Sequence, residues 1–89
     1  MNRQINAAIQ VLPTCNGRNS YDVVDEAIRV IQASGLNYRV CPFETVVEGP
    51  YDEVMDVVRR AQEACYAAGA EKMLCYVKIQ SSASTDVRI

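Results

Sequence analysis

The chain has 89 residues, nine Lys plus Arg against eleven Asp plus Glu, and no His, which leaves room for one domain over 1–89 with a core near 5–80 and a tail at 81–89. A formal charge of −2 with neither sign in a block gives no electrostatic case for nucleic acid or an anionic membrane surface. With no stretch near the roughly 20 apolar residues of a membrane span, no secretory h-region at the start, and four dispersed thiols (Cys15, Cys41, Cys65, Cys75) outside any Cys-x-x-Cys, the expectation is a cytoplasmic protein with reduced cysteines and no bound metal.

The first element is a strand. Ile5, Ala7, Ile9 and Val11 alternate with Asn6, Ala8, Gln10 and Leu12. A loop from Pro13 to Ser20 then enters a helix starting near Tyr21-Asp22, with Asn19 or Ser20 as its cap. Val24, Ala27, Ile28 and Ile31 recur at i, i+3, i+4 and i+7, the spacing of a buried stripe, and Gly35 stops the helix. Two β-prone runs follow, Tyr38–Phe43 and Thr45–Glu48, joined too closely for a crossover helix and so expected to form an antiparallel hairpin. Gly49-Pro50 opens a second helix at Tyr51-Asp52. Its stripe is Val54, Val57, Val58 and Ala61, and it ends at Gly69. Met73, Cys75, Val77 and Ile79 alternate with Leu74, Tyr76, Lys78 and Gln80 in a last strand.

The two helices repeat one pattern, and the order β-α-β-β-α-β is that of the ferredoxin-like split βαβ. This predicts an α+β fold, a four-stranded antiparallel sheet with both helices on one face. The other face would carry Asn6, Ala8, Gln10, Leu12, Tyr76 and Lys78, joined by Glu44, Val46 and Glu48 if the hairpin register agrees. It is too apolar for idle solvent and too polar for core. Another subunit, a polar ligand, or a groove between subunits would suit it.

The segment Pro42–Pro50 concentrates the chemistry. Strand periodicity places Glu44, Val46 and Glu48 on one face and Thr45 and Val47 on the other. Glu44 and Glu48 would stand roughly 13 Å apart at about 3.3 Å per residue, beyond the roughly 5 to 9.5 Å of glycosidase carboxylate pairs, so paired acid–base hydrolysis is disfavoured. Thr45, near the turn, could equally satisfy local backbone groups. Glu48 could favour the positive end of the second helix or sit in solvent. Tyr38, Phe43 and Tyr76 are stacking candidates, more often simple packing. Gln10 could pair with a polar ring edge or with another subunit. Arg18, Asn19 and Ser20 at a helix start form a candidate anion-binding loop, although Asn16-Gly17 is an ordinary turn and no Walker pattern is present. Cys15 has no His partner for nucleophilic work. No catalytic residue is assigned, and no cofactor is required.

The run Gln10-Val11-Leu12-Pro13, Ser34-Gly35-Leu36, Tyr38, Pro42, Glu44-Thr45 and Glu48-Gly49 resembles the YkoF-like thiamine-binding protein family from about Ile5 to Ile79. Its most specific portion is Pro-x-x-Thr-x-x-Glu-Gly. The resemblance implies a non-catalytic binding protein for thiamine or its hydroxymethylpyrimidine part, paired through its sheet into a homodimer or homotetramer. On that footing Gln10, Tyr38, Glu44, Thr45, Glu48 and Tyr76 are the expected ligand-binding residues, with Glu48 complementing the thiazolium cation or the aminopyrimidine N–H groups. The segment Gln80–Ile89 departs from the family pattern. The alternative is a ligand-sensing regulatory or protein-interaction domain of the same fold with a different small ligand. An acylphosphatase-like enzyme fails because Thr14–Ser20 lacks the glycine-rich Arg loop, and RNA recognition fails because the first strand has no aromatics.

Overall fold

In the computed structural model, residues 3–17 and 19–89 are described. The elements are β1 (Gln4–Cys15), α1 (Ser20–Ala33), β2 (Asn37–Val40), β3 (Thr45–Pro50), α2 (Tyr51–Ala67) and β4 (Ala70–Gln80). The strands lie in the order β2-β3-β1-β4, and every neighbouring pair is antiparallel. This is the ferredoxin-like α+β fold.

Alternation in the strands decides which side is covered. Ile5, Ala7 and Ile9 of β1 and Val47 of β3 are buried in one cluster with Ile31 of α1 and Val54, Val57 and Val58 of α2, so both helices pack on the same sheet face. A second cluster joins Val23 and Ala27 of α1 to Ala61 and Cys65 of α2 and Ala70 of β4. Fully burying an aliphatic side chain of this kind contributes about 1.5–3 kcal/mol relative to leaving it in water. These two clusters therefore hold the layers together.

The register sets the other face. Asn6 lies between Glu48 and Gln80, Ala8 between Val46 and Lys78, and Gln10 beside Tyr76. The face expected to be uncovered is thus assembled from the anticipated residues. Burial of the thiols pushes Cys65 and Cys75 above the ordinary cysteine range, and all four cysteines are free.

Three local expectations change. The run Tyr38–Phe43 is strand only to Val40, because Pro42 lies in the four-residue connection Cys41–Glu44, which is closed by the Cys41 amide donating to the Glu44 carbonyl at 2.9 Å. The inward stripe of α1 is Val23, Ala27 and Ile31, with Val24 and Ile28 only half-buried, because α1 turns its Val23 side to α2. The last strand starts at Ala70, three residues before Met73.

Asn19 caps α1, its side-chain oxygen accepting from the Tyr21 amide at 2.9 Å. Pro50 leads directly into α2, where the Tyr51 amide donates to the Arg3 carbonyl at 3.2 Å. Gly35 and Gly69 end the helices with φ of +80° and +112°, a region that other residues rarely adopt. Gly49 is tightly packed: a Cβ there would stand 3.0 Å from Leu36 Cδ2, so the leucine would have to shift by a few tenths of an ångström.

After β4 the chain turns on Ser82, whose hydroxyl accepts from the Ser84 and Thr85 amides. It then returns along the start of β1. The Val87 amide donates to the Gln4 carbonyl at 3.0 Å, and the Arg88 carbonyl accepts from Asn6 Nδ2.

Candidate functional site: a notch between α1 and the β2–β3 turn

β1 pairs with β3 only as far as Ile9, which faces Thr45, whereas its pairing with β4 continues to Cys15. From Gln10 onward one side of β1 has no strand neighbour. The resulting notch lies between that side of β1, α1 and the Cys41–Glu44 turn, and it encloses about 490 Å³, within the range of roughly 300–1,000 Å³ found for small-molecule sites.

One wall comes from helical periodicity. Tyr21, Val24, Asp25 and Ile28 line the notch, and their i, i+3, i+4, i+7 spacing puts them on a single stripe of α1. This explains why Val24 and Ile28 are half-buried: they stand at the open side of the notch, while Ala27 and Ile31 close its floor from the core and Val23 lies away from it. Val40, Pro42 and Phe43 form the opposite wall. Tyr21 and Phe43 are 78% and 82% exposed, placing two aromatic rings at the rim.

Of the residues anticipated as ligand contacts, Gln10, Glu44 and Thr45 line this notch. Thr45 is only 6% exposed and lines the notch, while the buried side-chain polar atom without a partner among the described residues is Gln4 Nε2, not the Thr45 hydroxyl. Glu44 reaches Lys78 Nζ at 3.0 Å, across the open face. Tyr76 lies beside Gln10 in the register and is exposed on that face.

The other anticipated residues lie elsewhere. Tyr38 pairs with the buried Val47 on the exposed edge strand β2, so by alternation its side chain belongs to the helix-covered side, opposite Tyr76. Glu48 is at the far end of β3, where its carboxylate accepts from Asn37 Nδ2 at 2.8 Å and from the Ile89 amide at 2.7 Å. The Ile89 hydrogen bond first, then Asn37 and the nearby Arg88 charge, hold its carboxyl below the ordinary glutamate value, against the opposing effect of desolvation. Arg18 lies outside the described residues. In the anion loop, the Tyr21 amide is taken by the Asn19 side chain and the Asp22 and Val23 amides by the Asn19 carbonyl. Asp22 adds negative charge to this first turn, so the donors an anion would use at Asn19 and Ser20 are largely occupied.

Tyr21 and Asp25 were not singled out from the sequence. The α1 periodicity carried the signal: Tyr21, Val24, Asp25 and Ile28 form a stripe of mixed polarity beside the apolar one. Its meaning depended on how far α1 stands from β2, which is a tertiary property.

A family model described as "Thiamine-binding protein" matches residues 7–89. The chain belongs to this thiamine-binding protein family. The match includes 80–89, the segment that least resembled the family by its residues. A UPF0045 protein of Clostridium perfringens is 36% identical over 74 residues, covering 83% of this chain and 78% of that protein. A second UPF0045 protein, from Mycobacterium tuberculosis, is 41% identical over 73 residues, covering 81% and 71%. Among solved structures, a DUF77 domain from Bacillus cereus superposes with a TM-score of 0.96 at 43% identity, over 99% of this chain and 85% of that one. A Thermotoga maritima protein linked by its description to thiamine biosynthesis or salvage gives 0.83 at 27% identity, over 94% and 89%. Among the described residues no helix is long and apolar enough to cross a membrane.

Proposed function

We propose that this protein binds thiamine, or the hydroxymethylpyrimidine part of thiamine, without transforming it, and that the notch beside β1 is the binding site. The observation that carries the reading is a cleft of about 490 Å³ in which Thr45, Gln10, Glu44 and Asp25 stand among apolar and aromatic walls, in a chain of the thiamine-binding family. The pyrimidine enters between α1 and the β2–β3 turn, with Tyr21 and Phe43 as ring-stacking walls. Thr45 and Gln10 supply hydrogen bonds, and Glu44 and Asp25 place carboxylates near the rim for the thiazolium cation. Tyr76 borders the open-face mouth next to Gln10. Glu48 and Tyr38 stand outside the cleft and act on the fold.

The open sheet face supports association as a dimer or tetramer in the cytoplasm. Leu12, Leu74 and Tyr76 are exposed on it, whereas the chain end covers only the Asn6–Glu48 portion. Calorimetric titration with thiamine and with hydroxymethylpyrimidine, alongside sedimentation analysis of the same sample, tests both parts. Saturable heat with one or both ligands and a species larger than the monomer are expected. Absence of heat and of any thermal shift at millimolar ligand removes the ligand assignment, and a monomer at those protein concentrations removes the oligomer.

A further inference from the structure

The edge of β1 in the notch has a direction that can be worked out from two hydrogen bonds. The Arg3 carbonyl accepts from Tyr51, which continues β3, and the Gln4 carbonyl accepts from Val87, on the β4 side. In an antiparallel strand each residue points its N–H and C=O to the same side, and successive residues point to opposite sides. The odd-numbered residues of β1 therefore address β3. Ile5, Ala7 and Ile9 meet Gly49, Val47 and Thr45 there.

Val11 and Pro13 are next in the odd series, and β3 has already ended. Their backbone groups point into the notch that both residues line. Val11 presents an N–H donor beside a C=O acceptor, and Pro13 presents a C=O alone, having no amide hydrogen. Neither is supplied with a strand partner among the described residues. Unpaired backbone groups at a partly buried wall demand a partner, and Thr45, opposite Ile9 in the register, lines the same notch.

We infer that the free β1 edge at Val11 is the specificity element of the site, reading the amino and ring-nitrogen edge of a 4-aminopyrimidine by backbone pairing. The inference rests on the proposed notch site and deepens it. The Val11 N–H donates to a pyrimidine ring nitrogen while the Val11 carbonyl accepts from the exocyclic amino group. The ring thus takes the place of the missing β3 residue. A donor next to an acceptor on one rigid edge is what distinguishes this ligand class from a simple apolar ring, and a site built to pair an N–H rejects an analogue lacking it. The thiazolium half then lies toward the rim and adds less to selectivity.

Amide hydrogen exchange on the isotopically labelled protein, with and without hydroxymethylpyrimidine, is the direct test. In the free protein the Val11 amide exchanges faster than those of Ala7 and Ile9, and saturating ligand slows it by at least about tenfold, as one new hydrogen bond would. The analogue carrying hydrogen in place of the 4-amino group binds at least about tenfold more weakly. If the pyrimidine binds but Val11 exchange is unchanged, or the deaminated analogue binds equally well, the inference falls while the binding function stands. If Val11 is already as protected as Ile9 in the free protein, its donor is not available and the inference also falls. If neither pyrimidine nor thiamine binds, the functional reading and this inference fall together.

Discussion

The two ends of β3 differ in how completely the surrounding structure uses them. At the Glu48–Gly49 end the space and the carboxylate are occupied: Leu36 fills the space over Gly49, and Asn37 and the Ile89 amide hold the Glu48 carboxylate, although Gln4 Nε2, on the residue opposite Pro50, is buried without a partner. At the Thr45 end the strand faces a cleft and a β1 edge without a strand neighbour. Both ends belong to one six-residue strand, so the difference arises from what the neighbouring elements cover. Satisfied groups stabilise a fold, while a strand edge left open at a cleft keeps backbone donors and acceptors available to a ligand.

The sharpest way to break this comparison is to damage the filled end. Ile5, fully buried beside Val47 and Val54, pairs with Gly49 in the register. Ile5→Ala should cost about 2–5 kcal/mol of stability, the usual range for emptying a core position, measured by urea denaturation. Ligand affinity of the fraction that remains folded should stay within a few-fold. Equal damage to affinity and stability would mean that the two ends are not separable.

Thr45→Val probes the open end with little change in shape. Removing a hydroxyl at the cleft wall should leave the denaturation midpoint nearly unchanged. Affinity for the pyrimidine should fall about tenfold, the loss of one hydrogen bond. A clear loss of stability with unchanged affinity would show that Thr45 serves the fold.

Much of the architecture was legible because it depends on period. The alternation of β1, that of β4 as far as Val77, the valine stripe of α2 and the glycine stops are local signals that packing reinforces and appear in the structure, whereas Ile79, expected on the inward face, is 42% exposed because it lies on an edge strand outside the helix-covered core. The α1 stripe was displaced from Val24 to Val23 because both choices satisfy helical periodicity, and only the position of α2 decides between them. The site was less legible for a related reason. Gln10, Glu44 and Thr45 converge on one notch because β3 begins opposite Ile9, a detail of register that spacing within each strand does not contain. Glu48 and Thr45 belong to the same sequence signature, yet alternation sends them to opposite faces.

The smallest effect, and the most discriminating, concerns Glu48. Its carboxyl is held below the ordinary value by the Ile89 amide and Asn37, so its folded pKa lies under its unfolded one. The stability it contributes is therefore fully present above the unfolded value and is lost as pH falls through the lower folded value. Melting followed by circular dichroism from neutral pH downward should show wild type losing stability below about pH 4.5 more steeply than Glu48→Gln, with the difference between them small because the carboxylate is solvent-accessible. The Ile89 amide should exchange faster in Glu48→Gln, since it loses a charged acceptor. Pyrimidine affinity at neutral pH should be unaffected, because Glu48 binds the returning chain end at the opposite end of β3 from the notch. If affinity instead falls tenfold while Ile89 exchange is unchanged, Glu48 is the ligand carboxylate and the binding site extends across the open sheet face.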